Sequence, residues 1–546
     1  MKQRQSTFMT SVAAIFSSQL LIKLIGFLYN IVLMNIPGFG DLGNGYRTAG
    51  YQIYTVLLAI SSVGIPNAIS KLISERLALK DEEGAEHVFR TALRLFAVIG
   101  AAASLLLFVG AEFLATKVIR ISGVELTLRA LSPSIFFVCV SSVMRGYFLG
   151  HRNVHPSNRS QILEQIFKAT LTVLFVWLLT ETSALIMAVG ANGATSVSTA
   201  VSFLYLTVTL ILYRRRNPAA PASRPESGER RGLIRKILSL SIPISLSSII
   251  TSVARVIDTA TISRGISKAF ASGIPGQEGI PTQEALEKYA ALLSGRFFKA
   301  DNITNIVLAL NIAFATVLVP TIAAALAVGD KKTASRRISS SFLLSILIVL
   351  PCSMGLILLA EPFFKLVYPA ASQGADLMQW AAVALIFTAL DQTICGSLQG
   401  LGRVYVPAVG LLCGAAVKYV LNRILIPIPT VGIYGAAVSS VACHLTAFII
   451  CFAALRRSIP MKLNFSRYVI KPVLCTAVMS LVTWGSYRLC MLVLHSNLVS
   501  LAASVLLSVA VYVVCVFTLH ILSPSQIREL PAGDAILLWL GGSARG

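Results

Sequence analysis

Apolar residues run through this chain in stretches of about 20, long enough to cross a ~30 Å hydrocarbon core as helices rising 1.5 Å per residue. Fourteen such stretches stand out, centred near residues 21, 58, 100, 138, 170, 200, 250, 312, 346, 388, 416, 444, 479 and 510. The connections between them are too short to hold a sizeable soluble domain. The pattern predicts an all-α polytopic membrane protein with about 14 transmembrane helices. Composition agrees. Hydrophobic residues make up 55% of the chain and charged ones 13%, against about a quarter charged in soluble domains, and mean hydropathy is +0.77.

The net charge is +23, and its distribution argues against nucleic acid. Basic residues gather in alternate loops, at Lys71–Arg94, Arg145–Arg159, Arg214–Lys236, Lys331–Arg337 and Arg456–Lys471. The intervening connections, such as Asn35–Tyr46, Glu181–Ser183 and Ile426–Tyr434, are poorer in Lys and Arg. This is the positive-inside asymmetry, and it places both termini in the cytoplasm. Lys117, Arg120, Arg264 and Lys268 fall on the outer side, against the rule. The N-terminal run lacks a small-residue cleavage site and reads as a retained first helix. The nine cysteines lie within predicted spans and form no C-x-x-C pair, so they read as packing residues. His151 and His155 are four apart but lack a nearby carboxylate, which suits a loop better than a metal site.

The chain repeats itself. SSVGIPNAISKLISERLALKDEEGAEHVFRTALRL, from Ser61, is matched by TVLVPTIAAALAVGDKKTASRRISSSFLL, from Thr316. RGYFLGHRNVHP (Arg145–Pro156) is echoed by QGLGRVYVP (Gln399–Pro407), and GANGATSVS (Gly190–Ser198) by GIYGAAVSS (Gly432–Ser440). Six spans per half give both halves the same orientation, making them parallel repeats about an axis along the membrane normal. The expected organisation is an N-lobe at 1–213 (helices 1–6), a basic cytoplasmic linker at 214–235 and a C-lobe at 236–457 (helices 7–12). Two extra helices at 458–523 and a cytoplasmic tail at 524–546 complete it. Two facing six-helix bundles suggest a transporter in which one rocks against the other, with Pro66 and Pro320 as hinge candidates.

Ionisable side chains at bilayer depth cost about 2.5–3.5 kcal/mol and so mark wet cavities or partners. Lys23 lies roughly 22 Å into the first helix, and Arg255 lies at similar depth in the seventh, its repeat equivalent. Lys168 and Lys418 are a second equivalent pair, and Arg47 and Arg296 enter the second and eighth helices near their outer ends. Among the acids, Asp258 is i+3 from Arg255 and Glu164 is i−4 from Lys168, spacings that allow ion pairing on one helix face. Asp391 is a lone acid, placed to carry a coupling proton or to pair with Lys418. The cations outnumber the acids, so a cavity lined by them attracts an anion such as phosphate or pyrophosphate. The sequence contains no P-loop and no nucleophile constellation, so it predicts a non-enzyme.

Several stretches resemble a known family. IKLIGFLYNIVL (Ile22–Leu33) is similar to the first-helix pattern of the multidrug/oligosaccharidyl-lipid/polysaccharide (MOP) flippase superfamily. YQIYTVLLAISSVGIPNAISKLISE (Tyr51–Glu75), VIDTATISRGI (Val256–Ile266), YAALLSG (Tyr289–Gly295) and LVPTIAAALA (Leu318–Ala327) resemble its stage V sporulation protein B branch, close to the MurJ-type lipid II flippases. The resemblance spans about residues 8–520. It implies a V-shaped, two-lobed bundle in a bacterial cytoplasmic membrane. It further implies ATP-independent export of an undecaprenyl-pyrophosphate-linked sugar, most simply lipid II, driven by membrane potential or an H+ or Na+ gradient. Lys23 falls on the family's cavity-lining basic position, and the last two helices on a groove for a lipid tail. Two positions depart from the family. Tyr29 and Asn30 replace a second cation after the Gly-Phe motif, and the usual eighth-helix Arg falls near Asp301 or Asn302.

The expected partners are a lipid-linked anionic glycan and membrane lipids, with no nucleic acid, metal or organic cofactor. The expected state is a monomer working beside cell-wall synthesis proteins. Three rivals stay open: export of another lipid-linked polysaccharide unit, a cation-coupled small-molecule or drug antiporter, and a non-transporting envelope-assembly scaffold. The antiporter would show an acid-dominated cavity. The scaffold would tolerate neutralisation of Lys23.

Overall fold

The computed structural model describes residues 18–523, apart from 19–20, 60, 62–63, 217–226, 328, 404 and 462–463. The expected tail at 524–546, the basic start of the chain and the middle of the expected linker lie outside the described residues. All regular structure among the described residues is helical.

The helices are α1 (Leu21–Met34), α2 (Gly40–Ala59), α3 (Ile65–Ala78), α4 (Glu82–Phe113), α5 (Val124–Gly150), α6 (His155–Leu178), α7 (Ala184–Arg216) and α8 (Ser227–Ala269). They continue as α9 (Gln283–Ala327), α10 (Lys331–Leu358), α11 (Ala360–Val367), α12 (Ala375–Gly400), α13 (Tyr405–Leu425), α14 (Tyr434–Ser458), α15 (Lys471–Leu494) and α16 (Asn497–Thr518). Each of the fourteen predicted centres falls inside a helix or at the break between α2 and α3. Among the described residues, ten helices are long and apolar enough to span a membrane unaided, and α8 is an eleventh if its 50° bend near residue 243 is counted as one span. Lys23, Arg47 and Arg296 lie on α1, α2 and α9. Pro66 sits in the first turn of α3, at the break that follows α2. Pro320 lies inside α9.

The chain folds into two compact units, residues 1–302 with 415–439, and residues 303–414 with 440–546. These boundaries differ from those drawn at 213 and 236, because α8 and the first part of α9 pack with the N-terminal helices. The expected linker is helical at both ends, in the last residues of α7 and the first of α8.

The internal repeat is visible in the backbone itself. α3 ends with Lys80 in the left-handed region (φ 59°), and α9 is followed by Gly329 (φ 76°). The next residue, Asp81 or Asp330, accepts a hydrogen bond from a backbone N–H three residues on (2.7 and 2.8 Å) and caps α4 or α10. α5 ends at Arg152 (φ 58°) and α12 at Gly402 (φ 79°). At both, the following N–H reaches back five residues, Asn153 to Phe148 O at 2.9 Å and Arg403 to Leu398 O at 2.8 Å, the double-bonded helix stop that a left-handed residue permits. Gly123 (φ 90°) and Gly374 (φ 98°) then precede α5 and α12.

The Gly84 N–H and the Arg76 guanidinium hold the Asp81 carboxyl below its usual range. Its cap is therefore fully present at neutral pH and fades as pH falls through the depressed value. Because a side chain at a left-handed position costs about 1–2 kcal/mol, Gly402→Ala should lower the apparent unfolding temperature of the detergent-solubilised protein. Arg152→Gly at the equivalent stop should not. Equal destabilisation by both changes would contradict this account of the two stops.

Candidate functional site

Unit 1 gathers most of the candidate charges. Lys23 on α1 is exposed and lies within electrostatic reach of Arg255 on α8 and Lys168 on α6. Lys168 donates to Tyr51 Oη at 3.0 Å, and its ammonium sits 4.4 Å from the centre of the same ring. Lys168 and Arg47 both act on Tyr29. Arg47 is buried, donates from Nη2 to Asn44 Oδ1 at 2.8 Å, and keeps a buried Nε without a partner among the described residues. Four of the six sequence-predicted cations therefore form one electrostatic group on α1, α2, α6 and α8.

The ion pairs differ from those that sequence spacing suggested. Asp258 does not pair with Arg255. It receives a very short hydrogen bond from Lys418 Nζ on α13 and another from Asn422 Nδ2 at 3.1 Å, and Asn422 also bonds Thr261 Oγ1 at 2.8 Å. Asp258 and Lys418 are both buried, so each supplies the counter-charge that hydrocarbon withholds. Arg255 turns instead to Asp301 on α9 at 3.8 Å, and both side chains stay well exposed, at 38% and 41%. An acid on α9 thus meets the cation of α8. Glu164 does not pair with Lys168. It takes Arg145 Nη2 at 2.8 Å, and Arg145 also binds Ser160 and Ser202, both at 3.0 Å. That buried knot joins α5, α6 and α7 and leaves Lys168 to its tyrosine.

Arg296 belongs to a different centre. Its Nε bonds Asp41 Oδ2 at 3.2 Å, while the fully buried Lys299 bonds Asp41 Oδ1 at 2.5 Å. The chains here are almost in backbone contact. A Cβ on Gly45 would lie 1.9 Å from Ala291 O, and one on Gly295 would lie 1.9 Å from Asp41 O. This reciprocal crossing of the repeat-equivalent helices α2 and α9 admits only glycine. Sequence reading missed Asp41 and Lys299 because their apolar neighbours and loop-edge position gave no pairing signal.

Unit 2 holds Asp391 on α12, and unit 1 holds Lys418, which bonds Asp258. Asp391 is buried and accepts from Cys395 Sγ at 3.5 Å, with the Asp391, Cys395 and Cys451 ligand atoms all within 4.8 Å of one another. Nearby, Asn311, Ser345 and Thr393 form a buried hydrogen-bond network, with Asn311 Nδ2 on Ala389 O at 2.7 Å.

Removing one member of a buried ion pair typically costs 3–5 kcal/mol, whereas replacing both by apolar groups is often neutral. Asp258→Asn should destabilise the solubilised protein strongly. Asp258→Asn combined with Lys418→Met should recover most of the loss. Thermal unfolding of the three proteins measures this, and a double variant as unstable as the single would refute the pairing.

Comparison with known proteins addresses the family and the fold. Residues 8–326 match the family model described as "Polysaccharide biosynthesis protein", and residues 300–503 match that of "Lipid II flippase MurJ". Among curated relatives, the lipid II flippase MurJ of Bacillus subtilis (strain 168) is 25% identical over 454 residues, 80% of each chain. Stage V sporulation protein B of the same organism is 20% identical over 534 residues, 96% of this chain and 98% of that one. A solved structure of lipid II flippase MurJ in an inward closed conformation shares the fold, with TM-score 0.67 at 13% identity, covering 93% of this chain and 98% of that one. The chain belongs to the polysaccharide biosynthesis protein family and, as a MurJ- and stage V sporulation protein B-like member, to the MOP superfamily of membrane transporters, which are not enzymes.

Proposed function

We propose that this protein is a flippase for a lipid-linked glycan, carrying an undecaprenyl-pyrophosphate-linked saccharide, lipid II first among them, across a bacterial cytoplasmic membrane without ATP. The observation that carries the reading is the group Lys23, Arg47, Lys168 and Arg255. Its cations stand together on four helices, and Asp301, the one acid pairing within it, is half-exposed and 3.8 Å from its partner. Asp258, the other nearby acid, is spent on Lys418. Such a group favours a diphosphate, which Arg255 can grip through its fork while Lys23 supplies a point charge.

The remaining parts suit the same task. Leu481, Leu492 and Leu506 on α15 and α16 are more than 70% exposed and offer an apolar surface along which a polyprenyl chain stays in lipid while the sugar moves through water. The antiporter reading asks for an acid-dominated cavity, and the charge balance here is the reverse. The match to stage V sporulation protein B supports a second lipid-linked glycan as the alternative cargo. In this reading both termini are cytoplasmic, and the protein works as a monomer beside cell-wall synthesis proteins. Pro66 and Pro320 mark hinges in the α2–α3 span and α9. Asp391 carries the coupling proton of an H+ gradient; a Na+ gradient or the membrane potential alone would bypass it.

Complementation in cells depleted of their lipid II flippase tests the cargo, with outward exposure of precursor scored by an externally added cleaving enzyme. The wild-type chain should rescue growth, and Lys23→Ala with Arg255→Ala should cut precursor exposure at least tenfold at equal expression. Rescue that survives the double change would remove the cationic site from the mechanism. Failure of a well-expressed wild-type chain would point to a different glycan. A second measurement addresses coupling. Asp391→Asn should abolish the response of transport to an imposed pH gradient, and an unchanged response would exclude Asp391 as the proton carrier.

A further inference from the structure

Three of the four cations that break the positive-inside pattern do not scatter over the surface. Arg120, Arg264 and Lys268 converge with Arg423 on one cavity of about 160 Å³, which Thr261 and Asn422 also line. All of these residues belong to unit 1. The cavity is small beside the 300–1,000 Å³ typical of organic ligands, and its size suits a compact anion.

The site is built by specific contacts. Arg120 follows a π-helical turn, Leu114–Ile119, and adopts the left-handed conformation (φ 59°). Its carbonyl accepts from Ser263 Oγ at 2.9 Å, and the Lys117 carbonyl accepts from Arg264 Nη2 at 2.8 Å, so α8 holds this loop in place. A Cβ on Gly265 would lie 2.3 Å from Ile426 Cγ2. Glycine there lets α8 approach the end of α13 that carries Asn422 and Arg423. Two buried polar atoms on residues lining this cavity, Arg264 Nε and Asn422 Oδ1, have no hydrogen-bond partner among the described residues.

No acidic residue lines the cavity among the described residues. Glu287 accepts from Ser122 N at 2.8 Å and Ser122 Oγ at 2.6 Å, and Asp258 is held by Lys418 and Asn422. Lys268 and Arg423 stand in the last turns of their helices, where a cation gains about 0.3–1 kcal/mol from the helix dipole. That gain does not require four cations from three chain segments to face one cavity, where they repel each other until an anion arrives.

We propose that this cavity is a second phosphate-class anion site, separate from the Lys23 group, which takes a phosphate or diphosphate either free or as a lipid headgroup. Arg255 and Arg264 are nine residues apart on α8, so the two sites lie roughly 13 Å apart along its axis. Asp258, Thr261, Arg264 and Lys268 fall within an arc of about 120° on α8, whereas Arg255 lies on the opposite side from Arg264, with the neutralised Asp258–Lys418 pair between the sites. The three arginines supply forks for phosphate oxygens, and Lys268 supplies a point charge. The assignment does not depend on which glycan is carried.

Calorimetric titration of the purified full-length protein with inorganic pyrophosphate tests the site. The double variant Arg264→Gln, Arg423→Gln should bind at least tenfold more weakly, while Lys23→Gln should retain a pyrophosphate binding event. Arg423→Gln alone, at an exposed side chain, should lose threefold or more and serves if the double variant does not purify as a monodisperse species. Competition by dioctanoyl phosphatidylglycerol would assign the site to lipid headgroups, and its failure to compete to free or substrate diphosphate. Unchanged binding in both the double and the single variant would overturn the proposal and leave the cations as helix-end charges. So would a parent protein that binds neither probe at millimolar concentration. Because the readout is binding rather than rescue, a failed complementation with intact Arg264-dependent binding would count against the cargo and not against this site.

Discussion

A charge carried into hydrocarbon must find a counter-charge, a hydrogen-bond partner or water, and unit 1 is organised by how each of its charges meets that demand. Asp258 and Lys418 satisfy each other. Glu164 and Arg145 do so with help from two serines, and Asp41 is shared by Lys299 and Arg296. What is left over is positive. Among the described residues, cations gather around Lys23 and around Arg264, the two places proposed above for an anionic ligand.

The tight pairs also fix the helices that carry the looser charges. The Asp258 pair ties α8 to α13, and the Arg145 knot ties α5, α6 and α7. The glycine crossing lets α2 and α9 meet at van der Waals distance, and Asp41 bonds across it. Each connection orients a helix so that Lys168, Arg47 or Arg255 faces the shared group. Removing a structural pair should therefore disturb binding through position, whereas removing Lys23 should disturb it through charge alone.

The family comparison fixes fold and transport class. MurJ-like proteins and stage V sporulation protein B both match along most of the chain. Asp301 matters here, because it sets an acid 3.8 Å from Arg255. That acid lowers the net charge of the Lys23 group without burying its cations, since both side chains stay accessible.

Sequence by itself determined the helices and the repeat. Twenty-residue apolar runs have one stable form in a bilayer, since backbone groups must bond within the segment. The left-handed stops at Lys80, Gly329, Arg152 and Gly402 are local events whose signals lie within a few residues. Sequence also found the unusual charges, because a Lys or Arg in an apolar run is conspicuous wherever it points. It could not find their partners. Helical spacing proposed Arg255 with Asp258 and Glu164 with Lys168, whereas the observed partners lie on other helices, up to 164 residues away. An i+3 neighbour competes with any side chain that packing brings closer, and packing is a property of the assembled helices. The misplaced outer cations show the same division. Sequence marked Arg120, Arg264 and Lys268 as exceptions to a charge rule, and only the approach of α8 to the end of α13, allowed by Gly265, brought them together with Arg423 around one cavity.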